Sequence, residues 1–289
     1  MTEATAKATE RSPGGPAPGD AEQPPDIAVD VRQVSKVFHD DRGREVQALR
    51  DVTFQVRRSE IVALTGQSGC GKTTLLRIIM GLERSTSGTV SVGGDPVRGC
   101  GPDRGIVFQN AELLPWRTAL GNVEFGLEAR GVPKAERRAA AQEAIELVGL
   151  GAAAGRRPHE LSGGMRQRVG IARALAIDPD VLLMDEPFSA LDAQTREGMQ
   201  AELLEIHART GKTIVFVSHD LDESVLLADR VVTLLPDPGR VHGVLDTALD
   251  TSLPVDERRS SAAFAERRHQ LWRLIHGREI EQHEREERA

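Results

Sequence analysis

The sequence predicts an α/β protein with a parallel sheet core, an antiparallel β subdomain ahead of it and a helical subdomain inserted between its halves. Three observations carry that prediction. Glu60-Ile-Val-Ala-Leu-Thr, Val181-Leu-Leu-Met and Thr213-Ile-Val-Phe-Val are short continuous apolar runs, the pattern of strands buried on both faces. Helix-period segments at Thr73–Met80, Met165–Ala176 and Arg196–Arg209 alternate with those strands, which is how parallel sheets are wound. Nearer the N-terminus, Ile27-Ala-Val-Asp-Val-Arg-Gln-Val and Val52-Thr-Phe-Gln-Val alternate apolar and polar residues, as half-buried antiparallel strands do.

Residues 1–26 are rich in proline and glycine and almost free of large apolar side chains. Burial there cannot offset the entropy of ordering, so a disordered leader is expected. The strand from Ile27 follows, then a turn-rich stretch from Asp40 to Arg44, then Val46-Gln-Ala-Leu and the strand at Val52. Glu60 opens the parallel core, and a glycine-rich loop leads from it into the first helix. Leu120 to Leu150 is rich in Ala, Glu and Arg and is expected to be mostly helical. From about Pro254 the chain is charge-dense, with Phe264, Leu271, Trp272, Leu274 and Ile275 at near-helical spacing. A docked helix and a solvated one both satisfy that pattern. No internal repeat is visible.

With 289 residues there is ample chain for one large domain or two small ones. Acidic residues outnumber basic ones, 44 to 37, giving a formal charge of −7. Proteins whose main partner is nucleic acid usually carry a basic face, so no nucleic-acid partner is expected. No apolar stretch approaches the ~20 residues of a membrane-spanning helix. Cys70 and Cys100 are too few for a disulfide framework, and neither belongs to a metal-type cluster. Met1 to Lys7 contains no apolar core of a secretory signal, so a cytoplasmic location is expected.

Gly66-Gln67-Ser68-Gly69-Cys70-Gly71-Lys72-Thr73-Thr74 matches the phosphate-binding pattern G-x-x-x-x-G-K-[ST] and stands directly between a buried strand and a helix. Glycines let successive backbone N–H groups point inward around an anion, and the following helix adds its positive end. Lys72 can then reach the β- and γ-phosphates of a nucleotide, and the Thr73 hydroxyl can ligate Mg²⁺. At the end of Val181-Leu-Leu-Met stand Asp185 and Glu186, at the strand edge where parallel sheets bind ligands. Asp185 is expected to hold Mg²⁺ and Glu186 to face the attacking water.

Further motifs occur in order. Leu161-Ser162-Gly163-Gly164-Met-Arg-Gln-Arg closely resembles the signature motif of ATP-binding cassette (ABC) ATPases, and Val107-Phe-Gln109 resembles their Q-loop. Ser189-Ala-Leu-Asp192 resembles the D-loop, and Val217-Ser-His219-Asp the switch histidine. The resemblance covers roughly residues 27–243. It implies a RecA-like P-loop NTPase core with a helical insert at about 112–165, leaving 244–289 as a C-terminal extension with an amphipathic helix. It further implies that Gln109 ligates Mg²⁺ or positions water and that His219 contacts the γ-phosphate. Phe38 occupies the place of an aromatic that stacks on adenine; the alternative is a core phenylalanine of the first sheet. Cys70 sits among N–H groups that lower a thiol pKa, so a redox switch and an inert spacer both remain open.

In this family the Ser162-Gly163-Gly164 segment closes on ATP bound to a second subunit, with Asp192 crossing the interface. One cassette per chain then implies a head-to-tail homodimer. Leu113-Leu-Pro-Trp116 is similar to cassettes of nitrate, sulfonate and taurine importers. That similarity implies integral-membrane permease subunits, a periplasmic or lipid-anchored substrate-binding protein, and a peripheral position on the cytoplasmic face of the membrane. A cassette of another kind of importer or of an exporter is a second reading. A soluble cassette ATPase of DNA repair or translation is a third, although such proteins usually carry two cassettes, a long coiled-coil insert or a basic surface.

Overall fold

The computed structural model describes residues 26–40 and 43–287, with side chains as far as residue 276. In chain order the elements are β1 (Ile27–His39), β2 (Glu45–Arg57), β3 (Ile61–Gly66), α1 (Lys72–Met80), β4 (Ser87–Val92), β5 (Asp95–Pro96) and β6 (Arg104–Val107). Then come α2 (Ala119–Ala129), α3 (Lys134–Leu147), α4 (Gly163–Leu175), β7 (Val181–Asp185), α5 (Ala193–Thr210) and β8 (Thr213–Val217). The chain continues through α6 (Leu221–Leu227), β9 (Arg230–Leu235), β10 (Arg240–Asp246), α7 (Val255–Ser260) and α8 (Ala262–Glu287).

Two sheets form, one of four strands in the order β2-β1-β4-β5 and one of six in the order β10-β9-β3-β8-β7-β6. The first is antiparallel. In the second, β9, β3, β8, β7 and β6 run parallel, and β10 closes one edge antiparallel. The continuous apolar runs follow from this arrangement. Ile61, Ala63, Leu182, Met184, Ile214 and Phe216 join one core cluster with residues of α2 to α6. The alternate residues, Val62, Leu64, Val181, Leu183, Val215 and Val217, join a second with β1, β2 and α1. Each position of these apolar runs is therefore covered, on one face by helices and on the other by α1 and the front sheet. Truncating Leu182 or Leu183, both fully buried, is expected to cost about 2–5 kcal/mol.

Several details differ from the sequence reading. Val46-Gln-Ala-Leu and Val52-Thr-Phe-Gln-Val belong to a single strand, β2, with Asp51 at φ 48° inside it. Helix α4 begins at Gly163 rather than near Met165, because the Ser162 hydroxyl accepts from Met165 N and caps the helix. Strands β6 and β9 open on arginines that mask their apolar pattern. Arg104 is buried and donates to the carbonyls of Ile79 and Gly99, and Arg230 pairs with the buried carboxylate of Glu60. The tail is docked, since Phe264, Leu271 and Ile275 of α8 are buried in the helical-face core. Trp272, on the flank next to them, remains exposed. The leader expected over residues 1–26 lies, apart from Asp26, outside the described residues.

Candidate nucleotide-hydrolysis site

Strand β3 delivers its last residue, Gly66, to a loop that ends at Gly71, the left-handed N-cap of α1. The glycines are required by geometry. A Cβ at Gly71, whose φ is +88°, would meet Leu49 Cδ2 at 2.5 Å, and one at Gly66 would meet the Leu234 carbonyl oxygen at 2.2 Å. Ser68 and Gly69 form the exposed crest of the loop, while Gln67, Gly71, Thr73 and Thr74 are half-buried. Helix α1 carries no acidic residue in its first turn, so nothing opposes the positive end of its dipole. Lys72 is buried at 7% exposure and donates from Nζ to the carbonyls of Gly66 at 2.8 Å and Gln67 at 3.0 Å. With Cys70 Sγ at 3.7 Å as a third contact, the ammonium is held by the loop itself, and an anion in the loop would replace these partners.

Cys70 points inward into the front core and is fully buried. Burial raises its thiol pKa, and the neighbouring Lys72 ammonium only partly opposes that. The expectation of a thiol acidified by the loop is therefore corrected: the sulfur is buried among apolar neighbours, with the Lys72 Nζ at 3.7 Å as its polar contact.

The strand edge supplies two pairs. Thr73 Oγ1 donates to Asp185 Oδ1 at 2.9 Å, placing a hydroxyl and a carboxylate side by side as hard-cation ligands are placed. Burial raises the Asp185 pKa, so this carboxylate gains from a nearby positive charge. The next residue, Glu186, takes a left-handed conformation at φ 46°. Such a conformation costs about 1–2 kcal/mol in a residue with a Cβ. The Glu186 N–H donates to the Val217 carbonyl, tying the end of β7 to the end of β8. Its Oε1 then stands 3.4 Å from Nδ1 of His219.

The remaining expected residues lie around these pairs. Gln109 follows β6 and is exposed, and its segment is held by Gln167, which donates to the Phe108 carbonyl at 3.1 Å. No hydrogen bond joins Gln109 to Thr73 or Asp185. Ser162 and Gly163 are exposed at the N-terminus of α4, which also has no acidic residue in its first turn. Gly164 is buried against α5, where a Cβ would stand 2.5 Å from Thr195 Cγ2. Asp192 is exposed, but within the chain its carboxylate caps α5, accepting from Thr195 N at 3.0 Å and Thr195 Oγ1 at 2.7 Å. Phe38, the last residue but one of β1, is 37% exposed with the Lys36 ammonium 4.6 Å from its ring centroid, so the reading of it as a core residue is overturned. Trp116 is 70% exposed.

Ser218 and Glu223 were not singled out by sequence reasoning, yet both are buried and line a cavity of about 50 Å³ next to Glu186 and His219. The only sequence signal for them is proximity to His219. A larger cavity, about 1170 Å³, lies at the opposite end of β3, between α5 and α7.

A glycine loop between a buried strand and a helix, facing a hydroxyl–carboxylate pair and a carboxylate–imidazole pair, defines a P-loop nucleotide-binding protein. Residues 49–189 match the family model described as ABC transporter. The chain is 51% identical over 199 residues to the taurine import ATP-binding protein TauB of Pseudomonas putida, covering 69% of this chain and 76% of that one. It is 47% identical over 223 residues to the bicarbonate transport ATP-binding protein CmpC of Synechococcus elongatus, covering 76% of this chain but only 34% of that longer relative. Among solved structures, the dimeric post-hydrolysis state of the ATP-binding cassette MJ0796 bound to ADP and Pi superimposes with a TM-score of 0.66. That match has 33% identity and covers 75% of this chain and 98% of that one. The chain belongs to the ABC transporter family as an ATP-binding subunit and ATPase.

Proposed function

We propose that this subunit hydrolyses ATP to drive an importer of small anions of the taurine, sulfonate, nitrate or bicarbonate class. The observation that carries the hydrolytic half is the convergence of Lys72, the Thr73–Asp185 pair and the Glu186–His219 pair on the C-terminal edge of one parallel sheet. Little covalent chemistry is needed in phosphoryl transfer, so positioning and charge neutralisation do most of the work. Gly66 to Thr74 cradle the phosphates through backbone N–H groups, with Lys72 on the β- and γ-phosphates and the exposed face of Phe38 stacking on adenine. Thr73 and Asp185, joined by Gln109, are the residues that would hold Mg²⁺, which supplies neutralisation of phosphate charge. Glu186 takes the proton of the attacking water, and His219 holds that water and the γ-phosphate in place.

The other half concerns partners. Two chains pair head to tail, so that Ser162, Gly163 and Gly164 of one close on the nucleotide held by the other, with Asp192 at the seam. The resemblance to the dimeric cassette supports this arrangement. Trp116 and Gln109, both exposed, offer a surface for integral-membrane permease subunits, and the protein then sits peripherally on the cytoplasmic face of the membrane. A periplasmic or lipid-anchored binding protein then selects the anion. The names of the taurine and bicarbonate relatives and the Leu113-Leu-Pro-Trp116 run support the substrate class.

Mass spectrometry of proteins copurifying with tagged Glu186→Gln from detergent-solubilised membranes in ATP tests this reading. A polytopic permease, with or without a binding protein, is the expected result. Ribosomal or DNA-repair proteins without a permease would overturn it.

A further inference from the structure

Glu223 of α6 has a carboxylate that is 7% exposed and lies one turn beyond the histidine loop. Its Oε2 accepts from Ser218 Oγ at 2.7 Å, and its Oε1 accepts from Gln200 Nε2 at 3.3 Å. The same Ser218 Oγ accepts from Asp220 N at 3.0 Å, so one hydroxyl brackets His219 from both sides. Ser218 N in turn donates to the Leu64 carbonyl of β3, the strand that leads into the phosphate loop. His219 itself is 62% exposed at its side chain, with Glu186 as its partner at 3.4 Å. Packing does not fix such an imidazole, so its aim depends on the backbone at residues 218 and 220.

The opposite end of the chain of contacts leaves the cassette core. Gln200 is 2% exposed on α5, and its Oε1 accepts from Arg259 Nη2 of α7 at 2.8 Å. The two neighbours fix the amide's orientation, since its oxygen must face the guanidinium and its NH2 the carboxylate. Reversing the amide would set donor against donor and acceptor against acceptor. Arg196 Nε, without a hydrogen-bond partner of its own, stands 3.9 Å from Glu223 Oε1 and contributes the nearest positive charge. The series Arg259, Gln200, Glu223, Ser218 is thus a continuous set of hydrogen bonds between the C-terminal extension and the residue before His219, meeting at the Glu223 carboxylate, which accepts from both sides.

We propose that Glu223 is a positioning residue for His219, and that the C-terminal extension acts on the same carboxylate through Arg259 and Gln200. The extension then acts on the rate of hydrolysis, through the aim of the imidazole, far more than on nucleotide affinity, because none of these hydrogen bonds reaches residues 66–74, which supply the main phosphate contacts. The inference rests on the reading of Glu186 and His219 as the hydrolytic pair.

The test is a double-mutant cycle on the full chain, with kcat and KM for ATP measured per folded molecule. Glu223→Gln keeps the shape and removes the charge, and is expected to lower kcat about tenfold with a much smaller change in KM, the cost of losing a charge-assisted hydrogen bond. Arg259→Met is expected to lower kcat about threefold alone and to have no further effect in the Glu223→Gln background, as coupled positions behave. Additive losses, or a Glu223→Gln kcat equal to wild type, would overturn the proposal. Glu186→Gln, assayed in parallel, separates the two levels. Wild-type turnover in that variant would overturn the underlying site reading and the positioning role with it, whereas a dead Glu186→Gln beside an additive cycle would overturn the positioning role alone.

Discussion

Glu186 Oε1 and His219 Nδ1 meet at 3.4 Å across the ends of β7 and β8, two strands whose pairing puts Asp185 beside Val217. The contact is set by the backbone. The left-handed φ of Glu186 and its N–H bond to the Val217 carbonyl turn the carboxylate toward the next strand instead of letting it follow Asp185. Two adjacent acidic residues thereby receive different surroundings: Asp185 is half-buried beside Thr73, and Glu186 faces an imidazole.

Lys72→Ala is expected to weaken ATP binding at least about tenfold, because charge-assisted hydrogen bonds to the phosphates are lost. Truncation also leaves the Gly66 and Gln67 carbonyls without their ammonium donor. Equilibrium binding of a fluorescent nucleotide checks this, with circular dichroism to verify the fold.

Gly71→Ala tests whether the loop's shape is fixed by backbone conformation. The new methyl would clash with Leu49 and would sit on a residue with φ +88°. A loss of about 2 kcal/mol in unfolding free energy is expected, together with weaker nucleotide binding. Urea denaturation gives the first quantity and nucleotide titration the second.

Asp192 gives a pH dependence whose sign follows from its cap. Hydrogen bonds from the Thr195 backbone N–H and hydroxyl hold its carboxyl below the ordinary 3.8. The folded chain therefore binds fewer protons than the unfolded one in that range. The stabilisation is complete above the ordinary value and disappears as pH falls through the depressed one. Asp192→Asn keeps an acceptor at the cap, so it should leave neutral-pH stability nearly unchanged and flatten this part of the acid dependence. Thermal melts over the acid range distinguish the two chains.

The cysteines should separate cleanly in alkylation. Cys70 is buried with its thiol pKa pushed up, whereas Cys100 is exposed. Native protein is expected to lose one thiol quickly to iodoacetamide and the other only on unfolding, and Cys100→Ser to remove the fast phase. Mass spectrometry of the labelled peptides assigns them.

These cases show what was legible in the residues alone. The strands β3, β7 and β8 announced themselves because both faces are buried, and the residues that follow them inherit their placement at the sheet edge. Asp185 and Glu186 could therefore be named from the strand edge and Lys72 and Thr73 from the phosphate-loop pattern, whereas His219 could be named only through the resemblance to ABC ATPases. Strands β6 and β9 could not, since each opens on an arginine whose partner lies elsewhere in the chain. The burial of Cys70 depends on Leu49 and Leu234, which pack onto the loop from distant strands. Glu223 finds Gln200 across 23 residues and Gln200 finds Arg259 across 59, separations at which no local pattern exists.

The central claim is that Glu186, held against His219, is the carboxylate that activates water for ATP hydrolysis. The measurement that tests it most directly is single-turnover hydrolysis of bound ATP by Glu186→Gln, with the dimer followed by light scattering in the same sample. The account predicts intact ATP, a loss of at least about a hundredfold in rate, and a dimer that persists while ATP is present. Turnover near the wild-type rate would contradict it and move the catalytic role to another group.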